Sequence, residues 1–463
     1  MQKWNRLAAL VLLLGSFALG AAGCLRDVPV ISTESTAETS APAEITEQPQ
    51  ILRGTIRDAA MYTLTVETDN GTTYTFSTDG VVLTAGNTGI LLGNPVTVEY
   101  TGDLSSGEFT VLSITVTDGE STPETEPDAA AGRTEQILAG MTLEEKVAQM
   151  ILARCPEEGA VETVSRYNPG GYLLFARDFT GKSKAEVIAA IAEYQAAAKI
   201  PMFIGVDEEG GTVSRVSRNP ALRAVPFWSP QALYAEGGFD LIRSDTAEKC
   251  DLLQSLGINL NFAPVCDVSR NPEDFIYDRS FGRSAAETAE YVRTVVQTMT
   301  EAGMGSVLKH FPGYRNNTDT HSGVAYDGRP YETFENEDFL PFQAGIAAGA
   351  DMVLVAHNVV ACMDGEKPAS RSETVHNILR ETLGFDGVII TDDLSMEGVQ
   401  AFASDTDIGV QAVLAGNDLL CCTDFEARIA EILDAVERGT ISESRIDDSV
   451  LRILNLKIAL GIL

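Results

Sequence analysis

The chain has 463 residues, 44% of them hydrophobic and 22% charged, so it is long enough to bury a large core and is not disordered throughout. Its 33 Lys and Arg against 67 Asp and Glu give a formal net charge of -34, and no basic block stands out after the N-terminus, which excludes nucleic acid as a ligand. None of the seven Cys forms a C-x-x-C pair, so neither a metal site nor a cofactor is expected. Four Cys lie in or beside apolar runs and are predicted to be buried free thiols: Cys155, Cys266, Cys421 and Cys422.

The N-terminus has the features of a secretory signal. Lys3 and Arg6 precede an apolar run over 7–22 that is too short for a membrane-spanning helix. The run ends in Ala-Ala-Gly before Cys24, which is similar to the lipobox at which bacterial lipoproteins are cleaved and diacylated. We therefore predict a signal peptide over 1–23 and a lipid anchor on Cys24 that holds the protein at the extracytoplasmic face of the cell membrane. An ordinary signal peptide with an incidental Cys is the alternative.

A small β module is predicted between two polar segments. Residues 24–50 are rich in Ser, Thr, Glu, Ala and Pro without an apolar period, which indicates a disordered tether. Residues 51–118 alternate apolar and polar side chains, and Asn70-Gly71 predicts a tight hairpin, so we expect about five strands in a small barrel or sandwich. Its role is either a spacer or a glycan- or wall-binding module. An acidic linker is predicted over 119–132.

The remaining residues, 133–463, alternate short apolar runs with helical stretches, beginning with a capping box at Thr142 and Glu145. The apolar runs lie at 171–175, 202–206, 258–265, 306–308, 352–355, 387–390 and 418–420. Polar residues follow the last apolar position of several different runs, which favours a closed barrel with its active site at that end over a doubly wound sheet. These residues are Asp207, Asp267, Lys309 with His310, His357 and Asp392. The predicted fold class is therefore α/β, a TIM-like (β/α)8 barrel.

Two segments carry residues suited to acid/base and nucleophilic chemistry. In the loop that follows Lys309 and His310, Asp319 and His321 are two residues apart, so Asp319 can orient the imidazole as an acid/base. In the segment 390–398, Asp392 stands at the mouth of another strand, where a carboxylate suits attack on an anomeric carbon.

Five ordered motifs resemble glycoside hydrolase family 3, in its single-domain β-N-acetylglucosaminidase branch. They are Val-Asp-Glu-Glu-Gly-Gly at 206–211, Asn-Phe-Ala-Pro-Val-Cys-Asp-Val at 261–268, Asp-Arg-Ser-Phe-Gly at 278–282, the Lys-His-Phe-Pro-Gly to Asp-x-His loop at 309–321, and Thr-Asp-Asp-Leu-Ser-Met at 391–396. The resemblance implies that Asp392 is the nucleophile and that His321, paired with Asp319, is the general acid/base of a retaining mechanism. It also implies that four residues hold the hydroxyls of the terminal sugar: Asp207, Arg279, Lys309 and His310.

The sequence departs from the family's motifs at two positions. Glu208 stands where Gln is commoner, and Arg315 stands where a second Gly is commoner. The Arg either restricts closure of the loop that carries His321 or contacts an acidic aglycone such as a muramyl group. Among other polar residues, Asp393 and Asp267 are interpreted as structural, His357 as a packing residue and His376 as a surface residue.

Three functions remain open at this point. The first is an exo-acting β-N-acetylglucosaminidase that trims cell-wall fragments or chitin-like oligosaccharides, acting as a monomer. The second is a β-N-acetylglucosaminide phosphorylase, since a His acid/base makes the approach of phosphate less repulsive than a carboxylate would, or another β-glycosidase of the same family. The third is a sugar-binding lipoprotein without activity, against which the presence of Asp319, His321 and Asp392 argues.

Overall fold

The computed structural model describes residues 49–60, 63–68, 71–78, 81–85, 94–104, 108–117, 126–317, 319–320, 323–402 and 407–463. The chain divides into two compact units, Met1–Thr122 and Pro123–Leu463. The predicted signal peptide, Cys24 and nearly all of the predicted tether lie outside the described residues, and so does His321. No helix within the ranges above is long and apolar enough to cross a membrane.

The first unit is a six-stranded sheet around its own apolar core. The strands are β1 Gln50–Ala60, β2 Thr63–Glu67, β3 Thr73–Ser77, β4 Val82–Ala85, β5 Pro95–Asp103 and β6 Glu108–Val116, in the order β3-β2-β1-β5-β6-β4. The pairing of β2 with β3 confirms the predicted hairpin, and Gly71 in the turn has a φ of 81°. The sheet has one more strand than the alternation predicted. The additional pairing is between β4 and β6, which run parallel and so cannot be joined by a tight turn.

The described residues of the second unit contain ten strands, of which eight form one parallel sheet. They are β7 Ile151–Arg154, β8 Gly171–Leu174, β9 Phe203–Val206, β10 Leu260–Asn261, β11 Gly305–Phe311, β12 Tyr326–Asp327, β13 Met352–Val355, β14 Val359–Val360, β15 Val388–Thr391 and β16 Leu420–Cys422. The eight-stranded order is β15-β13-β11-β10-β9-β8-β7-β16, and a parallel bridge between Ile390 and Leu419 links its two ends. Strands β12 and β14 pair separately. This nearly closed ring confirms the predicted TIM-like barrel.

The prediction missed one strand of the ring. Strand β7 follows the preceding helix with only Met150 between them, so the apolar residues of helix and strand merge into one stretch of sequence. Its residues Ile151, Leu152 and Ala153 are fully buried, as expected for a strand covered on both faces. The other seven strands of the ring each overlap one of the seven predicted runs, although β16 shares only Leu420 with its run and β10 is much shorter than predicted.

The described helices of the second unit are α1 Glu126–Ala139, α2 Leu143–Gln149, α3 Ala160–Tyr167, α4 Ala176–Phe179, α5 Lys184–Ala197, α6 Pro230–Gln254, α7 Ala285–Glu301, α8 Tyr331–Thr333, α9 Phe339–Ala347, α10 Glu373–Asn377, α11 Glu397–Gln400, α12 Ile408–Ala415, α13 Phe425–Glu437 and α14 Glu443–Ala459. The predicted capping box is present, because the Thr142 hydroxyl accepts the Glu145 N–H and the Glu145 carboxylate accepts the Thr142 N–H. Helix α1 begins inside the predicted acidic linker, whose Pro127 suits the first turn of a helix.

The structure shows whether the predicted burial of four cysteines and the predicted exposure of His376 are correct. Cys155, Cys266, Cys421 and Cys422 are buried and free, as predicted. The interpretation of His376 as a surface residue is wrong, because it is 1% exposed and its Nδ1 lies 2.8 Å from the Ser372 carbonyl oxygen. Helix α10 turns this residue into the protein, where burial lowers the pKa of the imidazole.

Candidate active site

A cavity of about 310 Å³ opens at the carboxyl ends of the barrel strands. Five of the seven residues proposed above for chemistry and sugar binding line it: Asp207, Arg279, Lys309, His310 and Asp392. They come from three strands and from the loop after β10, and they meet because parallel strands all end at the same face of a barrel. The volume is at the lower end of the range for small-molecule sites.

Ion pairs fix the positions of the two cations in this group. The Lys309 ammonium lies 2.7 Å from Asp207 Oδ1 and 2.5 Å from Glu209 Oε1. The Arg279 guanidinium holds the Glu209 carboxylate through two hydrogen bonds of 2.8 and 3.1 Å. Burial alone would raise the pKa of Glu209, but Arg279 and Lys309 outweigh it and hold that pKa well below its usual range. Glu209 therefore stays ionised and orients both cations.

His310 is oriented by a buried carboxylate behind it. Its Nδ1 lies 2.7 Å from Asp267 Oδ2, and Arg279 Nη2 lies 3.1 Å from its Nε2. Asp267 also accepts the backbone N–H groups of His310 and Tyr314, at 3.1 and 2.7 Å. This geometry agrees with the interpretation of Asp267 as a residue that orients its neighbours, and it leaves His310 facing the cavity.

Asp392 and Asp393 differ in what their carboxylates do. Asp392 is half-buried at the end of β15, where its Oδ1 accepts the Asp393 N–H at 2.9 Å, and it lines the cavity. The Asp393 carboxylate accepts the Ser395 N–H at 2.9 Å and the Thr423 hydroxyl at 3.4 Å. Asp393 thus holds the turn that follows the strand, although it also borders the cavity.

His357 supports this turn from below. It is fully buried, with Nδ1 2.7 Å from the Ser370 hydroxyl and Nε2 3.0 Å from the Asp393 carbonyl oxygen. Both contacts are structural, in agreement with the interpretation of His357 as a packing residue.

The predicted acid/base pair is described only in part. Asp319 is half-buried in the loop after β11, whereas His321 lies outside the described residues. The assignment of His321 as the general acid/base with Asp319 as its partner therefore stays a prediction.

The two departures from the family's motifs have structural explanations. Glu208 is buried, and its carboxylate accepts the N–H groups of Arg215 and Val216 at 2.8 and 2.7 Å, so it holds the loop after β9. Arg315 has a φ of 48° and forms a 2.5 Å ion pair with Glu337. It does not line the cavity, so its contact favours restriction of the loop over recognition of an aglycone.

Three charged residues of the site were not predicted. Glu209 stands within the motif at 206–211, two positions after Asp207, and its alternation with Asp207 was the available signal. Arg215 and Arg154 line the cavity, whereas Glu209 contacts the lining residues Arg279 and Lys309 from behind. Arg154 gave no signal, because the strand that carries it was missed. Among the described residues, no group of three His, Cys, Asp or Glu side chains could hold a metal ion.

Comparison with known proteins places these features in a family. Residues 142–456 match the model for the glycosyl hydrolase family 3 N-terminal domain. A β-hexosaminidase of Xanthomonas campestris pv. campestris is 39% identical over 279 residues, which cover 59% of this chain and 82% of that protein. The β-hexosaminidase A of Pseudoalteromonas piscicida is 31% identical over 327 residues, 64% of this chain and 54% of that protein.

A solved structure gives the same indication for the fold. A glycoside hydrolase family 3 β-N-acetylglucosaminidase from Paenibacillus superimposes with a TM-score of 0.64 at 33% identity, covering 70% of this chain and 63% of that chain. The match to this structure and to the Pseudoalteromonas protein thus leaves more than a third of each of those chains uncovered.

Proposed function

Because the chain belongs to glycosyl hydrolase family 3, we propose that it removes terminal β-linked N-acetylglucosamine from cell-wall fragments or chitin-like oligosaccharides, with retention of configuration. The observation that carries the proposal is that Asp392 shares one cavity with Asp207, Lys309 and His310. A carboxylate suited to nucleophilic attack and a set of groups suited to sugar hydroxyls then act on the same ring. The names of the similar β-hexosaminidases support N-acetylhexosamine as that sugar.

The sugar is bound by groups of complementary hydrogen-bonding character. Asp207 accepts from hydroxyls, while Lys309 and Arg279 donate to them. Glu209 and Asp267 already fix these donors and His310, so little side-chain freedom is lost when the sugar binds. A cavity of about 310 Å³ suits an exo-acting enzyme that takes one terminal residue at a time.

The chemistry proceeds in two displacements at the anomeric carbon. In the first, an Asp392 oxygen forms a bond to that carbon while the bond to the leaving oxygen breaks, and His321 donates a proton to the leaving oxygen. In the second, His321 takes a proton from water, the water oxygen attacks the same carbon, and the bond to Asp392 breaks. Asp319 stabilises the imidazolium form of His321, which is present before the first displacement and is formed again in the second.

A panel of aryl glycosides tests the proposal. The N-acetylglucosaminide is expected to be hydrolysed faster than the glucoside, xyloside and N-acetylgalactosaminide, with free sugar as the product whether or not phosphate is present. Formation of a sugar phosphate would instead identify a phosphorylase. A preference for the glucoside, or binding without turnover, would contradict the proposal.

The proposed location is the extracytoplasmic face of a membrane, with a lipid on Cys24. Cys24→Ala is expected to move the protein from the detergent phase to the aqueous phase in a detergent phase separation, while a purified protein without the first 24 residues keeps its aryl-glycosidase activity. Equal partitioning of wild type and variant would contradict the lipid anchor without affecting the proposed reaction.

A further inference from the structure

An exposed tryptophan lines a second groove of the barrel unit. Trp228 is 48% exposed and Val225 is 57% exposed, and both border a groove of about 470 Å³. Pro226, Leu233 and Leu241 continue its apolar wall. Among the described residues, this groove and the active-site cavity share no lining residue. Large apolar side chains that are exposed side by side mark a surface at which a ligand or a partner binds.

The backbone on both sides of Trp228 is fixed. Before it, the Phe227 carbonyl oxygen accepts the Gly211 N–H at 2.9 Å, and the Phe227 N–H donates to the Ser217 hydroxyl at 3.2 Å. After it, the Ser229 hydroxyl caps the first turn of helix α6. The indole is therefore presented on a backbone that is already ordered, so less conformational entropy is lost when a ligand covers it.

The charged side chains at the groove leave it with an excess of negative charge. Arg223 donates two hydrogen bonds to Glu248, at 3.1 and 3.2 Å. Asp245, which is buried, lies 3.2 Å from the Lys249 ammonium. Glu236 is exposed and forms no ion pair with any residue in the described ranges. Three carboxylates thus face two cations on a protein with a net charge of -34, so the groove repels an anionic ligand.

The size of the groove favours a small ligand over a folded protein. A volume of about 470 Å³ lies within the range of sites that hold small molecules. A stable protein interface would instead bury about 800 Å² on each partner. The ligand that fits the groove is therefore a small molecule or a short segment of a polymer, uncharged or cationic.

A β-linked pyranose matches both kinds of surface in the groove. The axial C–H bonds of such a ring form an apolar face that can pack flat against an indole. Its hydroxyl and acetamido groups lie around the edge of the ring and donate hydrogen bonds. The carboxylates of Glu236 and Glu248 accept such bonds, because each carboxylate has about four acceptor sites and Arg223 uses only two of those on Glu248.

We propose that the groove at Trp228 is a second carbohydrate site, which binds an uncharged β-linked N-acetylglucosamine oligosaccharide outside the active-site cavity. The choice of this sugar rests on the proposed function. A site that retains such chains on the protein raises the effective concentration of chain ends at an exo-acting cavity.

The fluorescence of Trp228 tests the proposal directly. The chain has two Trp, and the other, Trp4, lies in the predicted signal peptide. The full chain with Trp4→Phe therefore has Trp228 as its single Trp, whether or not that peptide is removed. Asp392→Asn is added so that the oligosaccharides are not consumed. The probes are the N-acetylglucosamine tetramer, a tetramer that alternates N-acetylglucosamine with the carboxylate-bearing N-acetylmuramic acid, and tetralysine.

The uncharged tetramer is expected to shift the emission to shorter wavelength in a saturable way, because the sugar replaces water at the indole. The anionic tetramer should bind several-fold more weakly, and tetralysine should cause no saturable shift. An equal affinity for both tetramers would overturn the assignment of an uncharged ligand. A response to tetralysine without one to the uncharged tetramer would identify a peptide partner instead.

Binding to insoluble chitin supplies a second measurement with variants at the groove. Trp228→Ala is expected to raise the dissociation constant about 10-fold, whereas Trp228→Phe should keep part of the affinity because it retains an aromatic face. The matched control is Ile188→Ala, which removes an exposed apolar side chain from helix α5 and should behave as wild type. An effect of Trp228→Ala no larger than that of the control would contradict the site.

The fluorescence measurement needs neither turnover nor a substitution in the groove, so it also separates the two proposals. If the wild type hydrolyses the uncharged tetramer but the emission of Trp228 does not change at saturating tetramer, the second site alone is overturned. If the emission shifts but the wild type hydrolyses no N-acetylglucosaminide, the proposed function alone is contradicted.

Discussion

The two ends of the barrel use the same residue types for opposite purposes. At the amino-terminal end, Asp418 precedes β16 and its two oxygens accept from the Ile389 N–H, the Ser449 hydroxyl and the guanidinium groups of Arg380 and Arg452. At the carboxyl end, the Asp392 carboxylate accepts the Asp393 N–H and still borders an open cavity. Buried acids that accept from backbone, hydroxyl and guanidinium donors stabilise the fold, whereas an acid that borders the cavity can be reached by a substrate.

The largest effect is expected from Asp392→Asn at the mouth. Asn keeps the shape and can accept the Asp393 N–H, but it cannot form the ester bond, so turnover should fall by roughly 10³-fold or more for good and poor leaving groups alike.

His321→Ala should differ, with losses concentrated on poor leaving groups, which need the proton. Rates with two aryl glycosides and a melting curve measure both effects.

Asp393→Asn is the matched control for Asp392→Asn. Its carboxylate holds the turn at Ser395, so its loss should appear mainly in the melting temperature. A mechanism-based fluorosugar should add one sugar mass to the wild type, and peptide mapping should place it on Asp392. A label on Asp393 or Asp207 would overturn the assignment of the nucleophile.

The next effect concerns Glu209, a buried acid near the cavity that, like Asp418 at the opposite end, is paired with cations. Glu209→Gln leaves two cations, Lys309 and Arg279, short of a buried partner and should lower the free energy of unfolding by about 3–5 kcal/mol, with a rise in KM. Urea denaturation and KM for an aryl glycoside measure the two consequences.

Glu208→Gln provides the contrast within the same motif. Glu208 accepts backbone N–H groups and the Ser217 hydroxyl, and it forms no ion pair with any residue in the described ranges. The amide oxygen of Gln can therefore replace much of its function at a cost of about 1 kcal/mol. If the two variants lost the same stability, the paired cations would not be the reason for the effect at Glu209.

At the amino-terminal end, Asp418→Asn should affect stability and spare catalysis. Three partly exposed arginines surround this buried carboxylate, so its charge is worth about 2–4 kcal/mol, less than that of Glu209 because solvent screens the arginines. The expected result is a lower urea midpoint with kcat and KM unchanged at a temperature where the variant is folded. A change in KM would show that the two ends are coupled.

The difference between the ends also explains what the sequence could predict. Polar residues that directly follow apolar runs, such as Asp207 and Asp392, predicted the barrel and the residues that line its cavity, and the family match confirms the predicted resemblance to glycoside hydrolase family 3. Arg154 was not predicted because the end of helix α2 and strand β7 form one apolar stretch of sequence. The spacing of apolar residues alone does not distinguish a short buried strand from a helix. The role of Glu209 was not predicted because its partner Lys309 is 100 residues away in the sequence, and no local pattern indicates that contact.

The buried charged residues at the amino-terminal end of the barrel were not predicted from the sequence, for a related reason. Lys457 lies in α14, a helix whose pattern gives no reason to bury a cation, and it is fully buried with its Nζ 2.7 Å from Gln149 Oε1. This contact joins two elements 308 residues apart. The side chain packs near Phe203, with the ammonium 5.1 Å from the ring centroid, so only tertiary packing reveals its environment.

The last predicted effect follows from the pH dependence of this lysine. Burial lowers the pKa of Lys457 to about 7, from 10.5. Between these two values the unfolded chain holds a proton that the folded protein has released, so the free energy of unfolding rises with pH by up to about 1.4 kcal/mol per unit. Below about pH 7 both states are protonated, and the full cost of burying the charge persists.

Lys457→Met should remove this increase of the free energy of unfolding with pH, because Met fills nearly the same volume but does not titrate. Loss of the donor to the Gln149 oxygen costs about 1–2 kcal/mol at every pH, so the absolute stability can move either way. The difference between variant and wild type should nevertheless shift in favour of the wild type from pH 7 to pH 10, as measured by urea denaturation at each pH. Lys184→Met, at an exposed position in α5, should leave the wild-type slope in place. An identical slope in wild type and Lys457→Met would mean that the amino-terminal end accommodates the charge, and the contrast between the two ends would then lie in their hydrogen bonds alone.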